Sequence, residues 1–135
     1  MTVTMLIVII VLAVTIMSLI MLNSKHVPRG IDKKYFIQEW ADISELYKDE
    51  KTRTLSIIHA DKLLDEALKC LAFKGNSMGE RLVSAKTRLK HRDEVWAAHK
   101  MRNKLVHEPN YKPTEKSTHN ALRGYYLTFK DLGVW

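Results

Sequence analysis

The chain has 135 residues, with 22 Lys and Arg against 15 Asp and Glu, six histidines and one cysteine. Cys70 alone excludes an internal disulfide, and residues 25–135 suffice for one compact domain but not two. The net charge of +7 is uneven: residues 86–107 hold seven basic side chains against two acidic ones, whereas 35–85 hold seven against nine.

Residues 5–22 carry no charge, and only Thr15 and Ser18 interrupt the apolar run. Counted from Val3 the run is 20 residues, about the ~20 that a helix needs to cross ~30 Å of hydrocarbon. A cleaved signal would show a basic start, a shorter apolar stretch and small residues before the cut. Asn23-Ser24-Lys25-His26 is a poor cleavage site, and a run apolar on every face does not suit a core helix. The expectation is a single-pass anchor over 1–24. Lys25, Arg29, Lys33 and Lys34 follow it, and no Lys or Arg precedes it. That asymmetry places the N-terminus outside the cell membrane and the remainder in the cytoplasm. Residues 25–30, with Pro28 and Gly30, read as a tether.

From residue 31 onward helical spacing dominates, and nothing alternates like a strand. The first helix is expected over Asp32–Tyr47, with Phe36, Trp40, Ile43 and Tyr47 inward. The second runs from Thr52 or Thr54 to about Phe73. Leu55, Ile58, Leu64, Ala67, Leu68 and Leu71 face inward; Asp61, Lys62, Asp65, Glu66 and Lys69 face outward. Asp65–Lys69 and Lys62–Glu66 have pairing spacing there. Cys70 falls on the apolar side, so it reads as buried and inert. Gly75 is the expected left-handed stop, and Ser77 with Glu80 reads as a capping box for a helix over Met78–Leu89. A helix over Asp93–Val106 follows, with Asp93 or Arg92 at its start and Trp96, Ala97, Leu105 and Val106 apolar. Pro109 and Pro113 frame a loop, and a last helix starts near Thr114 with Ala121, Leu122, Tyr125, Tyr126, Phe129 and Leu132 inward. The architecture expected is all-α: the membrane helix, then an up-down bundle of about five helices over 31–135.

The stretch with most chemistry is Arg102-Asn103-Lys104-Leu105-Val106-His107, closed by Glu108-Pro109. Glu108, before proline, is pushed out of the α region, which leaves His107 at the helix end. An Arg can hold a phosphate with its fixed fork while a His moves protons, so Arg102 and His107 are candidates for metal-independent phosphodiester chemistry. Residues five apart stand about 140° apart around a helix, so convergence needs a fraying turn or a second subunit. The structural alternative pairs Arg102 with Glu39, Asp61 or Asp65, and leaves His107 to cap the helix C-terminus. Asn103 and His99 can join the same cluster. His91 and His119 read as exposed, and Trp40, Trp96 and the Tyr125/Tyr126 pair as core. The run Lys86, Arg88, Lys90, Arg92 offers a basic surface that can steer RNA, lie on an anionic membrane, or stay solvated. Paired cysteines, H-E-x-x-H, a P-loop and G-x-G-x-x-G are all missing, so neither metal nor cofactor is expected.

The R-N-x-x-x-H string on a late helix resembles the signature of the HEPN superfamily of small helical domains, many of which are ribonucleases. Arg102 and His107 match its two signature positions, and Asn103 matches the polar residue that often follows the Arg. The resemblance implies a dimer, because two subunits commonly face each other at that site in the nucleases. The order Ala60-Asp61-Lys62-Leu63-Leu64-Asp65, Met78-Gly79-Glu80-Arg81-Leu82 and Val95-Trp96-Ala97-Ala98-His99-Lys100 is also similar to a loose group of small membrane-anchored bacterial proteins.

Two functions follow as expectations. The preferred one is a membrane-anchored, self-associating interaction module that is catalytically silent. The other is a metal-independent endoribonuclease or RNA-binding domain using Arg102 and His107, acting on RNA and sparing DNA.

Overall fold

The computed structural model describes residues 3–22 and 29–135, with only the backbone of Leu22. Its helices are α1 (Val3–Leu22), α2 (Lys33–Lys48), α3 (Arg53–Cys70), α4 (Met78–Ser84), α5 (Arg92–His107) and α6 (Glu115–Asp131), with no strand among the described residues. Residues 25–28 of the expected tether lie outside those residues, as do 23 and 24 at the end of the expected anchor. In α1, Val3–Met21 is long and apolar enough to cross a membrane, and its large apolar side chains are exposed all round. Nothing in the bundle covers that surface.

The other five helices form one bundle around α3, which touches α2, α4, α5 and α6, while α5 packs on α6. The caps explain the boundaries. Asp32 accepts from the Tyr35 amide, Ser77 from that of Glu80 and Thr114 from that of Ser117, each satisfying an amide that the helix itself leaves unpaired. Phe36 and Ile43 of α2, Ile57, Leu64 and Leu68 of α3, Leu82, Val95, and Tyr125 and Phe129 of α6 make the core. Full burial of each such side chain contributes about 1.5–3 kcal/mol.

Several expected faces are shifted. The inward stripe of α3 is Ser56, Ile57, Ala60, Asp61, Leu63, Leu64, Ala67 and Leu68. Leu55 is exposed and Ile58 only half-buried, while Asp61, expected outside, is 3% exposed. In α5 the buried positions are Val95, Ala98 and His99; Trp96 and Leu105 are half-buried, and Ala97 and Val106 are exposed. Tyr126 is also exposed, and Cys70 is half-buried rather than enclosed. Asp65 and Lys69 do pair, at 2.7 Å. The Glu66 carboxylate takes the Tyr35 hydroxyl at 2.9 Å instead of meeting Lys62.

The stop of α3 also differs from the expectation. The left-handed residue is Ala72, at φ 63°, where the Phe73 amide returns to the Leu68 carbonyl and the Ala72 amide to that of Lys69. Gly75 serves space: a Cβ there would stand 2.7 Å from the Arg81 backbone nitrogen. Glu80 reaches the Asn76 amide at 2.7 Å, one residue earlier than a full capping box. α4 ends at Ser84, short of Leu89, because the chain tightens into turns that carry the Lys86 amide to Val83 and that of Arg88 to Ala85.

Candidate functional site

Asp61 is the centre of the polar interior. Its place on the stripe of Ile57, Leu64 and Leu68 turns the carboxylate inward, where only partners from other helices can satisfy it. α5 and α6 supply them. One Asp61 oxygen, Oδ1, accepts from His99 Nδ1 at 2.8 Å and from the Tyr125 hydroxyl at 2.9 Å. The other, Oδ2, lies 3.5 Å from Arg102 Nε, an ion pair without a hydrogen bond of its own. Burial, and then the charge of Asp61, push the Tyr125 hydroxyl well above its ordinary pKa, so it stays a donor.

The network continues along α5. Arg102 Nη1 donates to Asn103 Oδ1 at 3.1 Å, which leaves the Asn103 amide nitrogen facing His99 Nε2 at 3.4 Å. The pattern closes when Nδ1 of His99 carries the proton and Nε2 accepts. Trp96 meets the His99 ring edge-on, with centroids 5.9 Å apart. A second polar node lies alongside: Arg81 forks onto both oxygens of Asp65, at 2.6 and 3.1 Å, and also donates to the Gly75 carbonyl. Burial works to raise Asp65, but the hydrogen bonds from Arg81 and Lys69 outweigh it and hold the carboxyl below its usual range.

These groups border a cleft of about 470 Å³ between α3, the start of α4 and α5, whose lining includes Asp61, Ser77, Gly79, His99, Arg102 and Asn103. Of the four site residues read from the sequence, Arg102, Asn103 and His99 therefore meet. His107 does not line this cleft. It is the exposed last residue of α5, with no hydrogen bond or ion pair among the described residues. Among the described residues no three of His, Cys, Asp or Glu are placed to hold a metal ion.

No family model, curated protein or solved structure matches the chain.

The basic run lies on the exposed surface. Lys86, Arg88, Lys90 and Arg92 are all exposed, and Asp93 and Glu94 border the shallow hollow beside Lys86, Lys90 and Arg92. Arg88 lies over the Phe73 ring, 5.9 Å from its centroid. His91, expected exposed, is half-buried, because Asp131 Oδ2 binds its ring at 3.0 Å, its amide at 3.0 Å and the Lys90 amide at 2.8 Å. Burial works to raise Asp131, but those bonds outweigh it and hold the carboxyl below its usual range. His119 is exposed, as the sequence suggested.

The sequence names Asp61 among the possible partners of Arg102, and the two do pair, but it places that carboxylate outside and misses the role of the Tyr125 hydroxyl. Asp61 carried a signal, since it is four residues after Ile57 and three before Leu64 on a helix. The role of Tyr125 carried none, because its hydroxyl partner is sixty-four positions away in sequence.

Proposed function

We propose that the chain is a membrane-tethered helical interaction module, catalytically silent, that works by binding and by association with a second copy of itself. α1 is its anchor, oriented with the N-terminus outside and the bundle in the cytoplasm; the basic residues after the apolar run support that orientation. The observation that carries the silent reading is the division of the R-N-x-x-x-H string. Arg102 is drawn inward toward Asp61 and Asn103, while His107 stands outside the cleft. An Arg tied into an internal network organises a bundle, and His107 stands outside the cleft that this guanidinium lines.

A second reading, a metal-independent ribonuclease, is favoured by one specific feature: His99, Asn103 and Arg102 share one open cleft. There an imidazole would move the proton of a 2′-hydroxyl beside a guanidinium holding the phosphate oxygens. Incubating the full chain in nanodiscs with a mixed RNA pool and chelator separates the two. The silent reading expects no products above buffer. Cleavage that requires a 2′-OH, spares DNA and is lost in folded His99→Ala or His107→Ala would replace it with the second.

A further inference from the structure

The charges of α2 are segregated by face. Glu39, Asp42 and Glu45 border a hollow shared with Leu46 and His59, on the side toward α3. The other flank, toward α6, carries a groove lined by Trp40, Ser44, Tyr47, His119, Leu122, Arg123 and Tyr126, with no acid. Trp135 closes one end, its ring 5.6 Å from Trp40 and 5.5 Å from Tyr126 by centroid. Helical spacing extends this seam: Lys33 and Ile37 lie seven and three residues before Trp40, and Lys130 lies four after Tyr126. All three are exposed, Ile37 by 54%. Glu115, near the far end, is engaged with Arg53 at 3.5 Å.

Half-buried Trp40, Tyr47 and Trp135 and exposed Tyr126, with Lys and Arg around them and no carboxylate side chain between, match the boundary of an anionic bilayer. Aromatic rings settle at headgroup depth there and cations meet phosphates. The seam begins at Lys33, only eleven residues beyond the last residue of α1. We propose that the α2/α6 seam docks on the anionic lipid surface into which α1 is anchored, laying the bundle flat on the membrane and fixing which faces a partner can reach. This inference rests on the anchor reading of α1 and names the lipid surface as a partner of the module.

The test uses the full chain, with Cys70→Ser and a single cysteine placed by Ile37→Cys, labelled with an environment-sensitive fluorophore and reconstituted in vesicles. A second version carries the label through Val83→Cys, on α4 and away from the seam. In vesicles containing phosphatidylglycerol the Ile37 label should shift to the blue and be quenched by brominated lipid, while the Val83 label stays in water. In pure phosphatidylcholine neither should shift. Combining Lys33→Gln, Arg123→Gln and Lys130→Gln, at unchanged melting point, should lower the docked-to-free ratio about a hundredfold, since each cation near an anionic surface is worth about fivefold. An Ile37 label that stays in water with anionic lipid overturns the proposal. So does a shift that is equal in neutral lipid and grows with protein per vesicle, which would assign the seam to a second copy. Release of the chain by alkaline carbonate would instead sink the anchor reading, and docking with it.

Discussion

Replacing Asp61 by Ala tests the polar centre most sharply. The substitution removes an acceptor shared by two donors, His99 Nδ1 and the Tyr125 hydroxyl, in residues that are 8% and 0% exposed. Tyr125 cannot reach water without opening the bundle, and His99, although it borders the cleft, is almost wholly covered; each buried donor left unpaired costs about 1–3 kcal/mol. The neighbouring guanidinium of Arg102 also loses its counter-charge; because that side chain is 34% exposed, water compensates most of the loss. The sum, about 2–6 kcal/mol, brackets the usual cost of breaking a buried pair by removing one partner, about 3–5 kcal/mol. For a bundle of this size that is a fall in Tm of roughly 12–20 °C, at about 4 °C per kcal/mol. The assay is thermal unfolding of the full chain in nanodiscs, followed by near-ultraviolet dichroism, which reports side-chain packing and ignores α1 helicity. Lys62→Ala, on the exposed neighbour, should stay within about 0.5 kcal/mol of wild type. If Asp61→Ala melts within about 1 kcal/mol of wild type, the carboxylate is not the node that joins α3, α5 and α6.

Ala72→Gly should stabilise by about 0.5–1 kcal/mol, because relief of a left-handed alanine exceeds the added freedom of the unfolded chain; an unchanged or lower Tm would contradict that conformation. Gly124→Ala should destabilise by about 1–3 kcal/mol despite alanine's helix propensity, since its Cβ would stand 2.8 Å from the Glu94 carbonyl oxygen across the α5–α6 contact; a gain in Tm would show that the two helices do not approach so closely. Asp65 and Asp131 are both held below their ordinary values, so their contribution is present above about pH 4 and is lost as pH falls through the folded-state values. The combination of Asp65→Asn and Asp131→Asn should therefore start less stable near neutrality and lose less on acidification; an equally steep acid loss would assign the effect to other carboxylates.

How much the sequence reveals depends on whether a residue's partner lies on its own helix. The N-cap Ser77 was legible, because it acts on an amide three residues ahead; Asp32 and Thr114, expected only as helix starts, cap theirs in the same way. The stripe of Phe36 and Ile43 was legible from spacing alone. Asp61 was misplaced because charge argues for the outside, and only His99, Tyr125 and Arg102, from two other helices, reverse that argument. Ala72 was missed for a different reason. A left-handed stop is normally marked by glycine, and here tertiary packing imposes it on an alanine while Gly75, three residues later, answers a steric demand. At the site, Arg102, Asn103 and His99 could be grouped because they sit three and four residues apart on α5, whereas His107, about 140° around the helix from Arg102, falls outside the cleft as that spacing implies.

The central claim is that the Arg of the R-N-x-x-x-H string serves the bundle and its His does not. Thermal unfolding of Arg102→Ala beside His107→Ala, in the same full chain and buffer, measures that directly. Arg102→Ala should lose about 1–2 kcal/mol, for a partly exposed cation withdrawn from a buried carboxylate, and His107→Ala should lie within about 0.5 kcal/mol of wild type. A stable Arg102→Ala beside a destabilised His107→Ala would contradict the account.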